Sequence, residues 1–96
     1  MFIRTDIPIP NQIVQVGHVC YEAGLKFNAK DNTYLVLFQS ESEDELKEIE
    51  SWLNFNEIDT HVFFEPDNNM GYSALCTQPV SGSLRKIFRR YKLYNN

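Results

Sequence analysis

The sequence predicts an α/β fold, with α+β as the neighbouring class: a small mixed four-stranded sheet flanked by about three helices. Two observations predict it. Helix-period apolar stripes alternate with short β-branched or aromatic runs, in the order strand, helix, strand, helix, strand, strand, helix. The chain has 96 residues and 43% hydrophobic content, enough for one packed core, and so for one domain over residues 1–96.

FIRTD, from Phe2 to Asp6, reads as a short first strand. Pro8 and Pro10 in IPIP break any regular element there, and Pro10 suits a first helical turn. From Asn11 to Phe27 the residues Ile13, Val16, Cys20, Ala23 and Phe27 recur at helical steps and predict the buried stripe of a helix. Asn11, Gln15, His18 and Glu22 recur at the same steps within a sector of about 60°, forming a polar line. Gly24 and NAKDN are expected to close that helix. TYLVLFQ, from Thr33 to Gln39, is a nearly unbroken apolar run and is expected at the centre of the sheet.

SESEDELKEIESWLN opens with overlapping capping-box patterns, Ser40 with Glu43 and Ser42 with Glu45, and crowds acids into a first turn where the helix dipole favours them. Leu46, Ile49 and Leu53, beside Trp52, mark the inward side. HVFFE (His61 to Glu65) and YSALCT (Tyr72 to Thr77) read as antiparallel neighbours joined by the turn-rich PDNNMG. Ser83 is expected to cap a last helix whose apolar stripe is Leu84, Ile87, Phe88 and Tyr91.

The net charge of -4 hides an asymmetry. All thirteen acids and only Arg4, Lys26, Lys30 and Lys47 lie in residues 1–84, while Arg85, Lys86, Arg89, Arg90 and Lys92 crowd the tail. A negatively charged partner would meet that tail first. No apolar run approaches the ~20 residues of a membrane helix, and MFIRTDIPIP has no signal-peptide pattern, so a cytoplasmic protein without a membrane partner is expected. Cys20 and Cys76 have no paired spacing and are expected as free thiols.

His18 is the first candidate for chemistry, because an imidazole serves as acid, base or hydrogen-bond donor. Periodicity alone equally gives a partly buried histidine bonded to Glu22. Gln15 and Asn11 bring amides that bind and orient polar ligands, just after a proline-broken loop. Asp67 is the second candidate, against the commoner role of an Asp bonded to its own turn, and Ser73 adds a hydroxyl without any nucleophile-elbow pattern. On a helix His18 and Cys20 point about 200° apart, and no CxxC or HxxxH occurs, so no metal site is expected. LRKIFRRYKLY offers guanidiniums for phosphate, or simply a solvated outer face.

Three stretches, QIVQVGHVCYEAGLKF, FFEPDNNMGYSALCTQPV and the final segment ending YKLY, together resemble the type II peptidyl-tRNA hydrolase family. The resemblance implies a mixed four-stranded sheet with helices, a homodimer, and metal- and cofactor-independent hydrolysis of the ester joining a peptide to tRNA. It implies catalytic roles for His18, Asp67 and Ser73, the first two positioning and deprotonating water and Ser73 bonding the carbonyl or the tRNA end. Gln15 and Asn11 would bind substrate, and Arg85, Arg89 and Arg90 would contact phosphate of peptidyl-tRNA. Whether Glu65 or Asp67 is the functional acid stays open, because Pro66 can turn either inward. The family's glycine-lysine segment before the first helix is replaced by IPIPNQ, with Asn11 where the lysine would stand. Catalysis is then slow, absent, or supported by Arg4, Lys26 or Lys30. The alternative is a non-catalytic RNA- or protein-binding module that keeps the fold.

Overall fold

The structure, a computed structural model, describes residues 1–28 and 35–95. Its elements are β1 (Phe2–Arg4), α1 (Ile9–Phe27), β2 (Phe38–Ser40), α2 (Glu43–Phe55), β3 (Thr60–Glu65) and β4 (Gly71–Thr77), followed by a 3-10 helix over Gly82–Arg90. The four strands make one mixed sheet in the order β2-β1-β4-β3, with β1 parallel to β2 and the other pairs antiparallel. The mixed α/β architecture and the β3–β4 hairpin agree with the sequence reading. No helix among the described residues is long and apolar enough to cross a membrane.

Side-chain alternation divides the interior into two layers. Phe2 and Leu75 point to the α2 side and pack with Phe38, Leu46, Ile49, Leu53 and Ile58. Ile3 and Ala74 point to the α1 side and pack with Ile7 and Val19. Phe2, Leu46, Leu53, Ile58 and Leu75 are fully buried, and each such side chain contributes about 1.5–3 kcal/mol relative to leaving it in water.

The sheet's centre differs from expectation. β1 and β4 are the inner strands, and β2 is an edge strand whose outer side meets the chain's own tail: Phe38 bridges Leu93, Gln39 N–H donates to Lys92 O at 3.0 Å, and Tyr94 N–H donates to Leu37 O at 2.9 Å. The apolar run misleads because only Leu37 and Phe38 turn into the two layers, while Leu35 and Val36 are exposed. Thr33 and Tyr34, the start of that expected strand, lie outside the described residues.

α1 is also rotated by about one residue from the stripe that spacing predicts. Gln12, Gln15, Val19 and Ala23 are buried, whereas Ile13 is 68% exposed. Buried glutamines are admissible because they are fully bonded: Gln12 Nε2 donates to Ile7 O at 2.8 Å, and Tyr94 Oη donates to Gln12 Oε1 at 2.8 Å. The helix ends at Phe27 as read, on Asn28 of NAKDN in the left-handed region at φ 46°, while Gly24 lies inside it.

α2 follows its reading closely. Ser42 caps it by accepting from Glu45 N–H at 3.1 Å, and Leu46, Ile49 and Leu53 are its buried residues. Ser40 caps nothing; it is buried, and its hydroxyl donates to Ser42 O. The last helix is 3-10 rather than α, and Ser83 lies inside it, because the chain enters through Gly82 at φ 67°. Ile87, Phe88 and Tyr91 pack on the α2-side core, and Leu84 is 45% exposed.

Candidate functional site

A local irregularity in the sheet builds the site. Phe63 pairs with Ala74 but Phe64 pairs with Tyr72, so Ser73 is an extra residue on β4. Such a bulge turns two consecutive side chains to one side. Ser73 therefore joins Ala74 in facing α1, where its hydroxyl donates to Gln15 Oε1 at 2.7 Å. The other end of that amide, Gln15 Nε2, donates to Glu65 Oε2 at 3.2 Å. Gln15 is thus locked in orientation between β4 and β3.

Around this lock an open cleft of about 410 Å³ is lined by Asn11, Val14, Gln15 and His18 from α1 and by Glu65, Asp67, Asn68 and Met70 from the hairpin. The His18 ring is exposed on one side and lies parallel to Phe63 on the other, with centroids 4.6 Å apart and planes at 5°. Expected pairing of His18 with Glu22 does not occur, because Glu22 Oε1 lies 2.6 Å from His61 Nε2 on β3 instead. His18 itself is exposed and lines the cleft.

The hairpin places two carboxylates unequally. Glu65 ends β3 on the α1 side; its Oε1 accepts from Asp67 N–H at 3.1 Å. The bond from Gln15, then the Asp67 N–H, with a smaller contribution from His18, hold the Glu65 carboxyl below its ordinary value. Asp67 opens a 3-10 turn, Asp67–Asn69, in which Asn68 and Asn69 take φ 56° and 55°, a region asparagine tolerates. Its side chain is exposed, and its carbonyl accepts from Met70 N–H at 3.1 Å.

The chain's comparisons with known proteins are negative. No family model matches it, and neither a curated protein nor a solved structure matches it.

Of the residues singled out from sequence, Asn11, Gln15, His18 and Asp67 meet at the cleft. Ser73 does not line it. The residue is fully buried behind Gln15, and its hydroxyl is engaged by the Gln15 amide rather than turned to the cleft. Arg85, Arg89 and Arg90 do not reach the cleft either, because Ile87, Phe88 and Tyr91 anchor their segment on the α2-side core, across the sheet. Arg90 lies over the Trp52 ring at 4.8 Å.

The cations named as substitutes for the missing lysine are engaged elsewhere. Arg4 donates through Nε and Nη2 to both Asp6 oxygens and through Nη1 to Met70 O and Tyr72 O. Lys26 donates to Thr60 O at 2.7 Å and lies 3.6 Å from Asp59. Lys30 lies outside the described residues. Among the described residues no lysine or arginine lines the cleft, and no group of three or more His, Cys, Asp or Glu side chains gathers to hold a metal. The cleft therefore offers one imidazole, two carboxylates and three amides, a set suited to moving protons and orienting a polar substrate.

Proposed function

We propose that the protein hydrolyses the ester of peptidyl-tRNA or a related aminoacyl ester in the cytoplasm, as a homodimer, with water as nucleophile and without a metal or cofactor. The observation that supports this reading is the meeting of His18, Glu65, Asp67 and Asn11 at one open cleft, over a Gln15 amide fixed at both ends. His18 takes the proton of water, the neighbouring carboxylates favour the imidazolium that forms, and Asn11 donates to the developing oxyanion. Gln15 and Ser73 position these groups. Asp67, solvent-facing, orients the water, while Glu65 holds Gln15.

The decisive experiment is release of labelled peptide from peptidyl-tRNA. His18→Ala is expected to lower the rate by about 10²–10⁴-fold with the fold retained. Asp67→Asn is expected to lower it as well. Wild-type protein no faster than the uncatalysed background would sink the proposal.

The non-catalytic binding module is favoured by a different observation: the cleft has no cation among the described residues, and the basic tail lies across the sheet from it. Salt-sensitive tRNA binding, abolished on combining Arg89→Ala with Arg90→Ala and accompanied by no turnover, would select that reading.

A further inference from the structure

Further along β4 from the hairpin, the sheet face beneath α1 carries three sulfur-bearing side chains, Met1, Cys20 and Cys76. Alternation sends Phe2 to the α2 side and Ile3 to the α1 side, so Met1 shares the α1 side. On β4, Leu75 points to the α2 side and Cys76 packs with Ala74 on the α1 side. The antiparallel register pairs Phe2 with Leu75 and Ile3 with Ala74, and its continuation sets Met1 opposite Cys76. Opposed residues on one face keep their Cβ atoms about 4.5–5.5 Å apart, within reach of both side chains. α1 closes the third side, with Cys20 Sγ 3.3 Å from Met1 Sδ. Both cysteines are free, and both are half-buried rather than sealed in the core.

We propose that Cys20, Cys76 and Met1 form a binding site for a soft monovalent cation of the Cu(I) and Ag(I) class. Thiolates and thioethers are the ligands such ions prefer, and a thioether contributes little to zinc, calcium or magnesium. The site holds three sulfurs, whereas structural zinc takes four nitrogen or sulfur ligands. Cys20 and Cys76 each lose a proton to solvent as a sulfur–metal bond forms, Met1 supplies a lone pair, and the metal keeps its oxidation state. Burial raises both thiols above their ordinary range, against the smaller opposing pull of the nearby Met1 ammonium, so the metal-free cysteines stay protonated and weakly reactive, and metal uptake is linked to release of two protons.

The test is an anaerobic titration of the reduced full chain with Cu(I) against a chromophoric Cu(I) chelator, with proton release followed in parallel. One ion and two protons per chain are expected. Cys20→Ser and Cys76→Ser should each weaken binding by more than the roughly tenfold that loss of even an outer-shell partner costs. X-ray absorption on the wild-type complex needs no variant and is expected to count three sulfur ligands. Global replacement of methionine by norleucine, with Met70→Leu as its control, should reduce that count to two. Two ions bound independently per chain, a serine variant with wild-type affinity, or a wild-type shell of two sulfurs would overturn the proposal.

Discussion

Gln15 shows how much a single buried amide can organise. Its oxygen is served by Ser73 and its nitrogen serves Glu65, so neither end is free to turn. Ser73→Ala removes the donor and leaves a buried carbonyl oxygen without a partner. A loss of about 1–3 kcal/mol is expected, read from the midpoint of urea unfolding, and wild-type stability would show that the bond contributes little. Glu65 adds a pH dependence whose sign is fixed. Its folded value lies below its ordinary 4.5, so its share of stability is fully present above 4.5 and fades as pH falls through the lower folded value. Glu65→Gln is expected to flatten that acid-side decline in unfolding measured across the range. At this scale His18 and Asp67 were legible in the sequence as chemistry-bearing types. The choice between the acids was not, because it depends on which carboxylate the bulge and Pro66 aim at α1.

At the scale of elements, α2 is the piece whose local signals and tertiary role agree. Ser42 bonds Glu45 N–H, acids fill the first turn, and the leucines and isoleucine face inward. Ser42→Ala is expected to cost about 1 kcal/mol in thermal or urea unfolding, and an unchanged midpoint would show that the bond from Glu41 N–H to Glu45 Oε1, at 3.4 Å, suffices. α1 carries a contrary lesson. Periodicity assumes that polar residues face water, and it failed by one residue where Tyr94 and Ser73, far along the chain, satisfy Gln12 and Gln15. The short β1 was recognisable, but its central place was not, since all three of its residues are buried by strands and helices that a local window does not contain. Bulge register is equally invisible to alternation, because Ser73 and Ala74 break it. The three sulfur-bearing side chains escaped for a related reason: pairing rules compare cysteines with cysteines and histidines, and only strand register sets Met1 opposite Cys76.

Across the whole molecule the sheet separates two chemistries. The acid and imidazole groups of the cleft lie on the α1 side, and the arginines of the tail lie on the α2 side with Trp52. Combining Arg89→Ala with Arg90→Ala is therefore expected to leave hydrolysis of a small aminoacyl ester unchanged. The same variant should weaken tRNA binding and make the logarithmic salt slope shallower by about 0.7–0.9 for each phosphate the tail no longer neutralises. A fall in small-ester turnover would mean that the tail reaches the cleft.

The inner position of β1 carries a consequence for how the chain is made. On a ribosome β1 and α1 emerge well before their partners, because Gln15 and Gln12 are satisfied by Ser73 and Tyr94, and β1 lacks its β4 neighbour until Leu75 is made. At 5–20 residues per second the wait from Gln15 to Tyr94 is about 4–16 s. During that interval the nascent helix has unmet amides and an uncovered apolar side. Folding is thus expected to await synthesis through Tyr94, leaving the emerged β1 and α1 dependent until then on chaperones.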